Sequence, residues 1–509
     1  MSVTEFSDDA KSWPRNFDRL RTVTDDRLLF ILTCVVAIVL IAVNVPRLFE
    51  FNFWGDEALS ILYSRKSFEE IIVYARDIDA HPPLFNLVLS FMTKVFGTTP
   101  FVYHLVPFIS YVGILIISIT FVRKTFGPLV AITFMLLATF LDSATYYIPE
   151  VRMYELGAFF VLASYVSLYL ILRDGDRKSY ILFVISSLCA SYTHYYCLMA
   201  VGLLYVGLFF YFIMRKDWKG FKCYLIAALI TVLGYLPWFF ASLVKTLTRV
   251  VEIFWIPEQM SFEESIAYVF NNSEHLYVII ALFLLIILAL ITRTIWNKYK
   301  KESAEKTDDN IVLVWIIFGI LSVFGSIALG QLISSMTRPL ILDRYLYPVS
   351  VIIWLVFAVG ISRITSRKYI RTTISLLVRA MILVICVPNF CETVKVEEER
   401  NEYTAQVIDL TYSYLSPGDN IVTNNNHMQQ SLSKIYFPDL TISFINEDVK
   451  KVPKLDHSHN HLMFLTYEVQ VVDIEDQINA QGYEVVLIQR GWFASNYYMA
   501  IYELRPIVT

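Results

Sequence analysis

Residues 28–46, LLFILTCVVAIVLIAVNVP, are followed at 51–60 by FNFWGDEALS, and together these two stretches indicate the fold class. The first is an uncharged apolar run of the length that spans a bilayer. The second places two adjacent carboxylates, Asp56 and Glu57, among aromatic residues directly after it. This arrangement predicts a membrane helix that ends at an acidic, aromatic-rich interface with water.

The composition of the whole chain agrees with a membrane protein. Of the 509 residues, 56% are hydrophobic and 17% are charged, and the mean hydropathy is +0.54. Soluble domains contain about 25% charged residues. A net charge of -4 argues against nucleic-acid binding, which needs a basic face, and the six scattered cysteines lack metal-ligand spacing. We therefore predict a polytopic α-helical membrane protein.

Apolar runs of spanning length predict about eleven transmembrane helices. The segment that precedes the first run, residues 1–27, is polar and contains four arginines, and basic residues recur in alternate loops afterwards. By the positive-inside rule these segments face the cytoplasm. The predicted spans are 28–46, 103–122, 128–147, 154–172, 180–197, 198–214, 221–241, 276–295, 311–332, 347–363 and 372–390.

This alternation also predicts the domain organisation. We expect a cytoplasmic tail at 1–27 and a transmembrane domain at 28–390, with an outer loop at 47–102. Within that loop, the amphipathic run 57–75 and the short apolar run 83–97 are expected to form interfacial helices, because counting 83–97 as a span would invert every later loop. The tail has a helical pattern followed by five short runs with a strand pattern, so 391–509 is predicted to be a small extracytoplasmic α/β domain. The five runs are NIVT, TISFI, LMFLTY, EVVLIQR and YYMAIYEL.

Ionisable residues collect on the outer side of this predicted topology. Such groups are costly in or beside a bilayer, so their concentration on one face indicates a site. Two adjacent carboxylates repel each other, and the pKa of at least one should be raised toward the range of a general base. Arginines in a membrane groove suit a phosphate carried by a lipid. The candidates are Asp56, Glu57, His81, Glu150, Arg152, His194, Arg344 and Tyr345.

Simpler explanations exist for several of these residues. Single arginines at a membrane surface often extend to lipid headgroups, and aromatic residues beside them form an ordinary interfacial belt. The prolines of HPPL, which follow His81, are a common helix-start signal. A lone histidine near the end of a span, such as His194, often has a structural hydrogen-bond partner.

Four ordered pieces of the sequence resemble the GT-C membrane glycosyltransferases. The resemblance is to the prokaryotic relatives of protein O-mannosyltransferases and of the lipid A aminoarabinose transferase. The pieces are WGDEALSILYS (54–64), HPPLFNLVLSFMTKVFG (81–97), YYIPEVRMYELGAFF (146–160) with THYYCLMAV (193–201), and DRYLYP (343–348). Their order and predicted topological placement carry the resemblance, which covers most of the membrane region.

The resemblance implies an inverting transferase that takes a sugar from a polyprenyl phosphate. It places the catalytic aspartate at Asp56, and Glu57, the acidic residue that follows it, is the second catalytic candidate. Arg152 and Arg344 become candidates for binding the donor phosphate, and His81 for contacts with phosphate or acceptor. His194, Glu150 and Tyr345 are further substrate-binding candidates. The tail is shorter than the lumenal insertions of protein mannosyltransferases, so that narrow acceptor class is not indicated.

The implied partners are a polyprenyl-phosphate-linked sugar, the lipid bilayer, and a lipid, glycan or protein acceptor, without nucleic acid. No cofactor is required; Asp56 and Glu57 could recruit a divalent cation, although the sequence contains no clear ligand set for one. The expected location is the plasma membrane. The alternatives are a non-catalytic protein of the same fold and a transporter or flippase for a lipid-linked or small anionic substrate, which Arg379, inside the last predicted span, would suit better.

Overall fold

The computed structural model describes residues 14–79, 81–244, 259–271, 305–337, 339–363, 368–446, 449–466 and 469–507, with the isolated positions 284, 288, 291 and 292. The predicted span 276–295 lies outside these residues except for those four positions. We call residues 14–414 the helical region and residues 420–507 the sheet region.

Within the described residues, the helical region contains long helices, most of which are joined by short loops. Turns of π-helix at Ser118–Val122 and Phe239–Leu243 prolong α5 and α12. The helices are α1 (Pro14–Ala42), α2 (Gly55–Ser64), α3 (Phe68–Asp77), α4 (Leu84–Phe96), α5 (Pro100–Ile117), α6 (Arg123–Phe126), α7 (Pro128–Phe140), α8 (Asp142–Tyr147), α9 (Tyr154–Arg173), α10 (Arg177–Thr193), α11 (Tyr195–Arg215), α12 (Trp218–Trp238), α13 (Phe262–Val269), α14 (Glu305–Met336), α15 (Asp343–Arg363) and α16 (Lys368–Tyr414).

Eight helices in the described part of the chain are long and apolar enough to cross a membrane, which confirms a multi-pass membrane protein. The predicted number of eleven is not confirmed. The predicted span 128–147 is divided, because α7 ends at Phe140 and α8 begins at Asp142. The eight segments are Asp26–Phe49, Pro100–Phe126, Tyr154–Arg173, Tyr195–Arg215, Trp218–Leu243, Asn310–Met336, Asp343–Arg363 and Thr372–Tyr414.

Helix α15 lies at the centre of the helical region. Its apolar window is 89% buried, compared with 22% for the first candidate span, and it packs against α7, α9 and α14. Because neighbouring helices surround α15, a residue at its first turn is held in a fixed position. Arg344 is the second residue of this helix.

The outer loop predicted at 47–102 contains three helices, α2, α3 and α4. Helix α4 packs against both α2 and α5, so the short apolar run 83–97 folds back on the helical region. Helix α3 begins with a capping box, in which Ser67 and Glu70 exchange side chain to backbone hydrogen bonds. These contacts fix the loop that carries Asp56 and His81.

The sheet region contains the five strands predicted from the sequence. The strand order is β2-β1-β3-β5-β4, with β1 parallel to β2 and β3, and β5 antiparallel to β3 and β4. The strands are β1 (Asn420–Thr423), β2 (Thr441–Phe444), β3 (His461–Leu465), β4 (Tyr483–Phe493) and β5 (Tyr497–Pro506), and the short helices are α17 (Ser433–Tyr436) and α18 (Glu475–Asn479). Helix α16 continues without a break through residue 391, where the sequence predicts a domain boundary.

Candidate functional site

Asp56 lies in the first turn of α2 and faces Arg344. The distance between Asp56 Oδ2 and Arg344 Nη1 is 3.3 Å. The guanidinium of Arg344 also lies 5.5 Å from the centre of the Trp54 ring, within the range of a cation–π contact. Both side chains are partly exposed, 23% for Asp56 and 17% for Arg344, so a bound molecule can reach them.

Glu57 is buried, and its carboxylate accepts hydrogen bonds from backbone N–H groups. Its Oε2 accepts a hydrogen bond from the Trp54 N–H at 3.1 Å, and its Oε1 accepts one from the Val151 N–H at 2.7 Å. Burial raises the pKa of Glu57 from 4.5 to about 7. One of the two adjacent carboxylates thus has the raised pKa expected from the sequence, but burial causes it, not repulsion between neighbours.

Arg152 lies beside Asp56 in the segment before α9. Its Nη1 donates to Ser60 Oγ at 2.9 Å and to the Asp56 carbonyl at 3.4 Å, while its Nε has no hydrogen-bond partner within the described ranges. Burial alone would lower the pKa of Arg152, but the charges of Asp56 and other nearby groups raise it above its ordinary value. Arg152 is therefore a buried cation with donor capacity left for a ligand.

Glu150 lies behind Trp54. Its Oε1 accepts from the Trp54 indole N–H at 3.0 Å. Burial, reinforced by the nearby Glu57 carboxylate, raises the pKa of Glu150 well above its ordinary value. Glu150 therefore fixes the ring that stacks on Arg344.

His81 and His194 form an aromatic cluster with Tyr345. The His81 ring centre lies 5.1 Å from that of His194 and 5.6 Å from that of Tyr345. Burial lowers the pKa of His81, so its imidazole is neutral, and its Nδ1 lies 3.3 Å from Asp79 Oδ1. His194 Nδ1 accepts from the Tyr196 N–H at 3.1 Å and so caps α11.

A cavity of about 530 Å³ joins these groups. It brings together five of the predicted residues, whereas Glu57, Glu150 and His194 lie behind its wall. The lining residues are Trp54, Asp56, Leu59, Ser60, Tyr63, Tyr74, Ile78, Asp79, His81, Asn86, Arg152, Tyr154, Arg344, Tyr345, His427 and Gln430.

Sequence reasoning missed several lining residues. Asp79 and Asn86 flank His81 in the chain, and their polar side chains beside the HPPL motif were the available signal. His427 and Gln430 come from the sheet region, more than 320 residues after the end of the outer loop. No local pattern indicates that they reach Asp56, because only the tertiary structure brings them there.

Two further predictions concern positions or ligands outside the cavity. Arg379 Nη1 donates to the Leu129 carbonyl at 3.1 Å, so this arginine has a structural partner at the start of α7. In the described part of the chain, no group of three or more His, Cys, Asp or Glu side chains is arranged to hold a metal ion.

The fold is shared with two solved crystal structures of ArnT. The crystal structure of ArnT from Cupriavidus metallidurans in the apo state superposes with a TM-score of 0.56 and 14% identity, covering 92% of this chain and 97% of that one. The crystal structure of ArnT bound to undecaprenyl phosphate gives a TM-score of 0.54 at the same identity and coverage. The GT-C type fold predicted from the motifs is thus confirmed.

A third solved structure is less similar to this chain. A crystal structure of the Archaeoglobus fulgidus oligosaccharyltransferase in complex with Zn and sulfate has a TM-score of 0.43 and 12% identity, covering 82% of this chain and 62% of that one. No protein-family model and no curated protein sequence matches the chain.

Proposed function

We propose that this protein is an inverting membrane glycosyltransferase that moves a sugar from a polyprenyl-phosphate donor to an acceptor hydroxyl. The observation that carries the proposal is the cavity lined by Asp56, Arg152 and Arg344, in which Arg344 pairs with the Asp56 carboxylate and Arg152 donates to the Asp56 backbone carbonyl. The fold shared with ArnT, which was crystallised with undecaprenyl phosphate, supports a lipid-linked donor.

The two arginines suit the donor phosphate. A guanidinium offers planar pairs of donors that match phosphate oxygens. Arg152 has a free Nε in the described structure, and Arg344 lies at the first turn of the central helix α15. A phosphate bound by Arg344 would compete with Asp56 for this guanidinium and so turn the carboxylate toward the acceptor.

The reaction needs a base on one side of the sugar and a stabilised leaving group on the other. Asp56 accepts the proton of the acceptor hydroxyl while the oxygen of that hydroxyl attacks the anomeric carbon. The bond between the anomeric carbon and the phosphate oxygen breaks, and its electron pair leaves with the polyprenyl phosphate. Arg152 and Arg344 stabilise the negative charge that develops there. One displacement of this kind inverts the configuration at the anomeric carbon.

The remaining predicted residues receive supporting roles in this proposal. His81 and Tyr345 line the cavity and offer neutral hydrogen-bonding groups to the sugar or phosphate. Glu57 is a positioning residue, because both of its oxygens accept backbone N–H groups. Glu150 and His194 likewise position Trp54 and the start of α11.

We also propose the orientation and organisation expected from the charges. The N-terminus faces the cytoplasm, the cavity opens at the outer surface of the plasma membrane, and residues 391–509 form the extracytoplasmic domain. The acceptor is a lipid, glycan or protein that reaches the cavity from that side. A bound divalent cation is not required, because the arginines supply positive charge.

Replacing Asp56 by Asn tests the proposal. Transfer of labelled sugar from polyprenyl-phosphate pools in membranes should fall about 100-fold or more, the usual contribution of a general base. Binding of undecaprenyl phosphate to the purified variant should persist. Asp77→Asn is the matched control, since Asp77 lies in the same loop, pairs with Arg76 and does not line the cavity. Unchanged transfer in Asp56→Asn would show that Asp56 is not the general base. A wild type that neither binds the lipid nor transfers sugar would overturn the proposed glycosyltransferase function.

A further inference from the structure

His427, at the start of a π-helical turn in the sheet region, lies directly over the beginning of α2. A Cβ atom added to Gly55 would overlap the His427 imidazole. Gly55 immediately precedes Asp56, so the lack of a side chain at this position allows the imidazole to approach the carboxylate.

Hydrogen bonds hold this part of the sheet region in place. Ser431 Oγ donates to the Gly55 carbonyl at 3.2 Å. The Tyr436 hydroxyl lies 2.6 Å from the Phe51 carbonyl and 3.2 Å from the Phe53 carbonyl. The backbone that leads into Asp56 is therefore joined to the segment that carries His427, and the two are positioned together.

The His427 imidazole is a neutral hydrogen-bonding group at the wall of the cavity. Its Nδ1 is buried and has no hydrogen-bond partner among the residues that the structure describes. Burial also lowers its pKa, so the imidazole is neutral and offers one donor and one acceptor. Gln430, three residues further on, lines the same cavity and offers an amide. The Nδ1 atom itself lies against the Gly55 backbone, because it is the atom nearest to an added Cβ there, so a ligand can reach only the part of the imidazole that lines the cavity.

The cationic lining residues of the cavity come from one of the two regions only. Its cations, Arg152 and Arg344, belong to the helical region, whereas the lining residues from the sheet region, His427 and Gln430, are neutral. Phosphate is bound by cations. A neutral molecule with several hydroxyl groups instead needs paired donors and acceptors, which an imidazole and an amide supply.

We propose that His427 and Gln430 form an acceptor subsite that binds a neutral, hydroxyl-rich molecule, a saccharide, beside Asp56. One hydroxyl of this saccharide faces the Asp56 carboxylate, and a neighbouring hydroxyl bonds to the part of the His427 imidazole that lines the cavity. The inference rests on the proposed function, because it takes Asp56 as the base that activates the acceptor.

A binding experiment with methyl glycosides tests the subsite without knowledge of the natural acceptor. Methyl glucoside, mannoside and galactoside are added to the full-length protein in nanodiscs containing undecaprenyl phosphate, and saturation-transfer NMR measures their binding. The signal of at least one should fall about fivefold or more in His427→Leu. His427→Gln, whose longer side chain brings an amide donor and acceptor to the cavity side of the imidazole, should restore most of it.

The neighbouring glutamines provide a matched control. Gln429 and Gln430 are both exposed residues of the same segment, but only Gln430 lines the cavity within the described structure. Gln430→Ala should weaken glycoside binding, and Gln429→Ala should leave it unchanged. Affinity for undecaprenyl phosphate should stay within about twofold in all four variants, because none of them removes a cation.

Each outcome bears on one of the two proposals. Equal glycoside binding in wild type and His427→Leu, or a parallel loss of lipid affinity, would overturn the acceptor subsite. Absence of glycoside binding in the wild type would do the same, while sugar transfer that depends on Asp56 would still support the proposed function. Glycoside binding through His427 in a protein that neither binds the lipid nor transfers sugar would support the subsite and overturn the transferase.

Discussion

Asp56 and Arg344 are 288 positions apart in the chain, and Asp56 Oδ2 lies 3.3 Å from Arg344 Nη1. The pair joins the outer loop to the first turn of the most buried candidate span. An arginine in this position contacts the base candidate and lines the cavity at the same time. Its replacement should therefore affect donor binding before it affects the fold.

Arg344→Lys should weaken binding of undecaprenyl phosphate by about tenfold or more. Lysine keeps the charge but loses the planar fork that matches phosphate oxygens and the stacking on Trp54. The measurement is the Kd of the lipid for purified protein in nanodiscs. Arg65→Lys serves as the control, because Arg65 donates to the Tyr103 hydroxyl and does not line the cavity. An unchanged Kd in Arg344→Lys would argue that the donor phosphate binds elsewhere.

The raised pKa of Glu57 should make stability depend on pH. Its folded value of about 7 exceeds the ordinary 4.5, so the folded protein retains a proton that the unfolded chain has lost between these values. The contribution of Glu57 to the free energy of unfolding therefore decreases as pH rises from 4.5 to 7, by at most about 3 kcal/mol.

Unfolding of wild type and Glu57→Gln from pH 4.5 to 8 measures this effect. Glutamine cannot titrate, so the stability difference between the two proteins should change across the window and become constant above it. Glu69→Gln, an exposed change in the same loop, should follow the wild type at every pH. Parallel pH profiles for wild type and Glu57→Gln would contradict the prediction.

Gly55→Ala should displace His427 and reduce sugar transfer. The added methyl group would overlap the imidazole, which has to move away from Gly55 and lose its present position beside Asp56. We expect transfer to fall about tenfold while undecaprenyl phosphate still binds. Gly202→Ala adds a methyl group to a helix where nothing lies within 4 Å of it, so its activity should equal that of the wild type. Full activity of Gly55→Ala would show that the contact has no role in the reaction.

The ion pair between Arg47 and Glu397 should contribute strongly to stability. Arg47 is almost fully buried, its Nη2 lies 2.6 Å from Glu397 Oε1, and its Nε donates to Glu397 Oε2 at 2.8 Å. Removing one partner leaves the other charge uncompensated, so Glu397→Leu should lower the free energy of unfolding by about 3–5 kcal/mol.

A double-mutant cycle separates the pair from the burial of its side chains. Arg47→Met combined with Glu397→Leu should recover most of the loss, because no unpaired charge remains. Chemical unfolding of the four proteins gives the coupling energy. Additive losses in the double variant would show that the two charges do not depend on each other.

Local sequence patterns predicted much of the fold. The uncharged run at 28–46 and the five strand-forming runs of the tail are properties of short windows, and the structure contains all of them. The division at Leu141 was not foreseeable in this way. There the Asp142 N–H donates to the Asn271 side chain, a contact across 129 positions that no local window contains.

The candidate site shows the same limit. Asp56, Arg152 and Arg344 could be placed together because all three lie at the ends of predicted spans on one membrane face. From the sequence, Glu57 was a catalytic candidate. Glu57 also lies three residues after Trp54, which is the spacing at which a side chain accepts the backbone N–H of the residue that caps a helix. His427 was missed, because it reaches Asp56 only through the packing of the sheet region on the outer loop.

Helix α16, Lys368–Tyr414, has 47 residues and is about 70 Å long, and the hydrocarbon core of a bilayer takes up about 30 Å of that length. Every residue inserted beyond the membrane would turn the sheet region by about 100° and lift it by about 1.5 Å. One such step would carry His427 away from Gly55. The length of the last turns of this helix therefore determines the position of His427 over Gly55, more than the identity of their exposed side chains does.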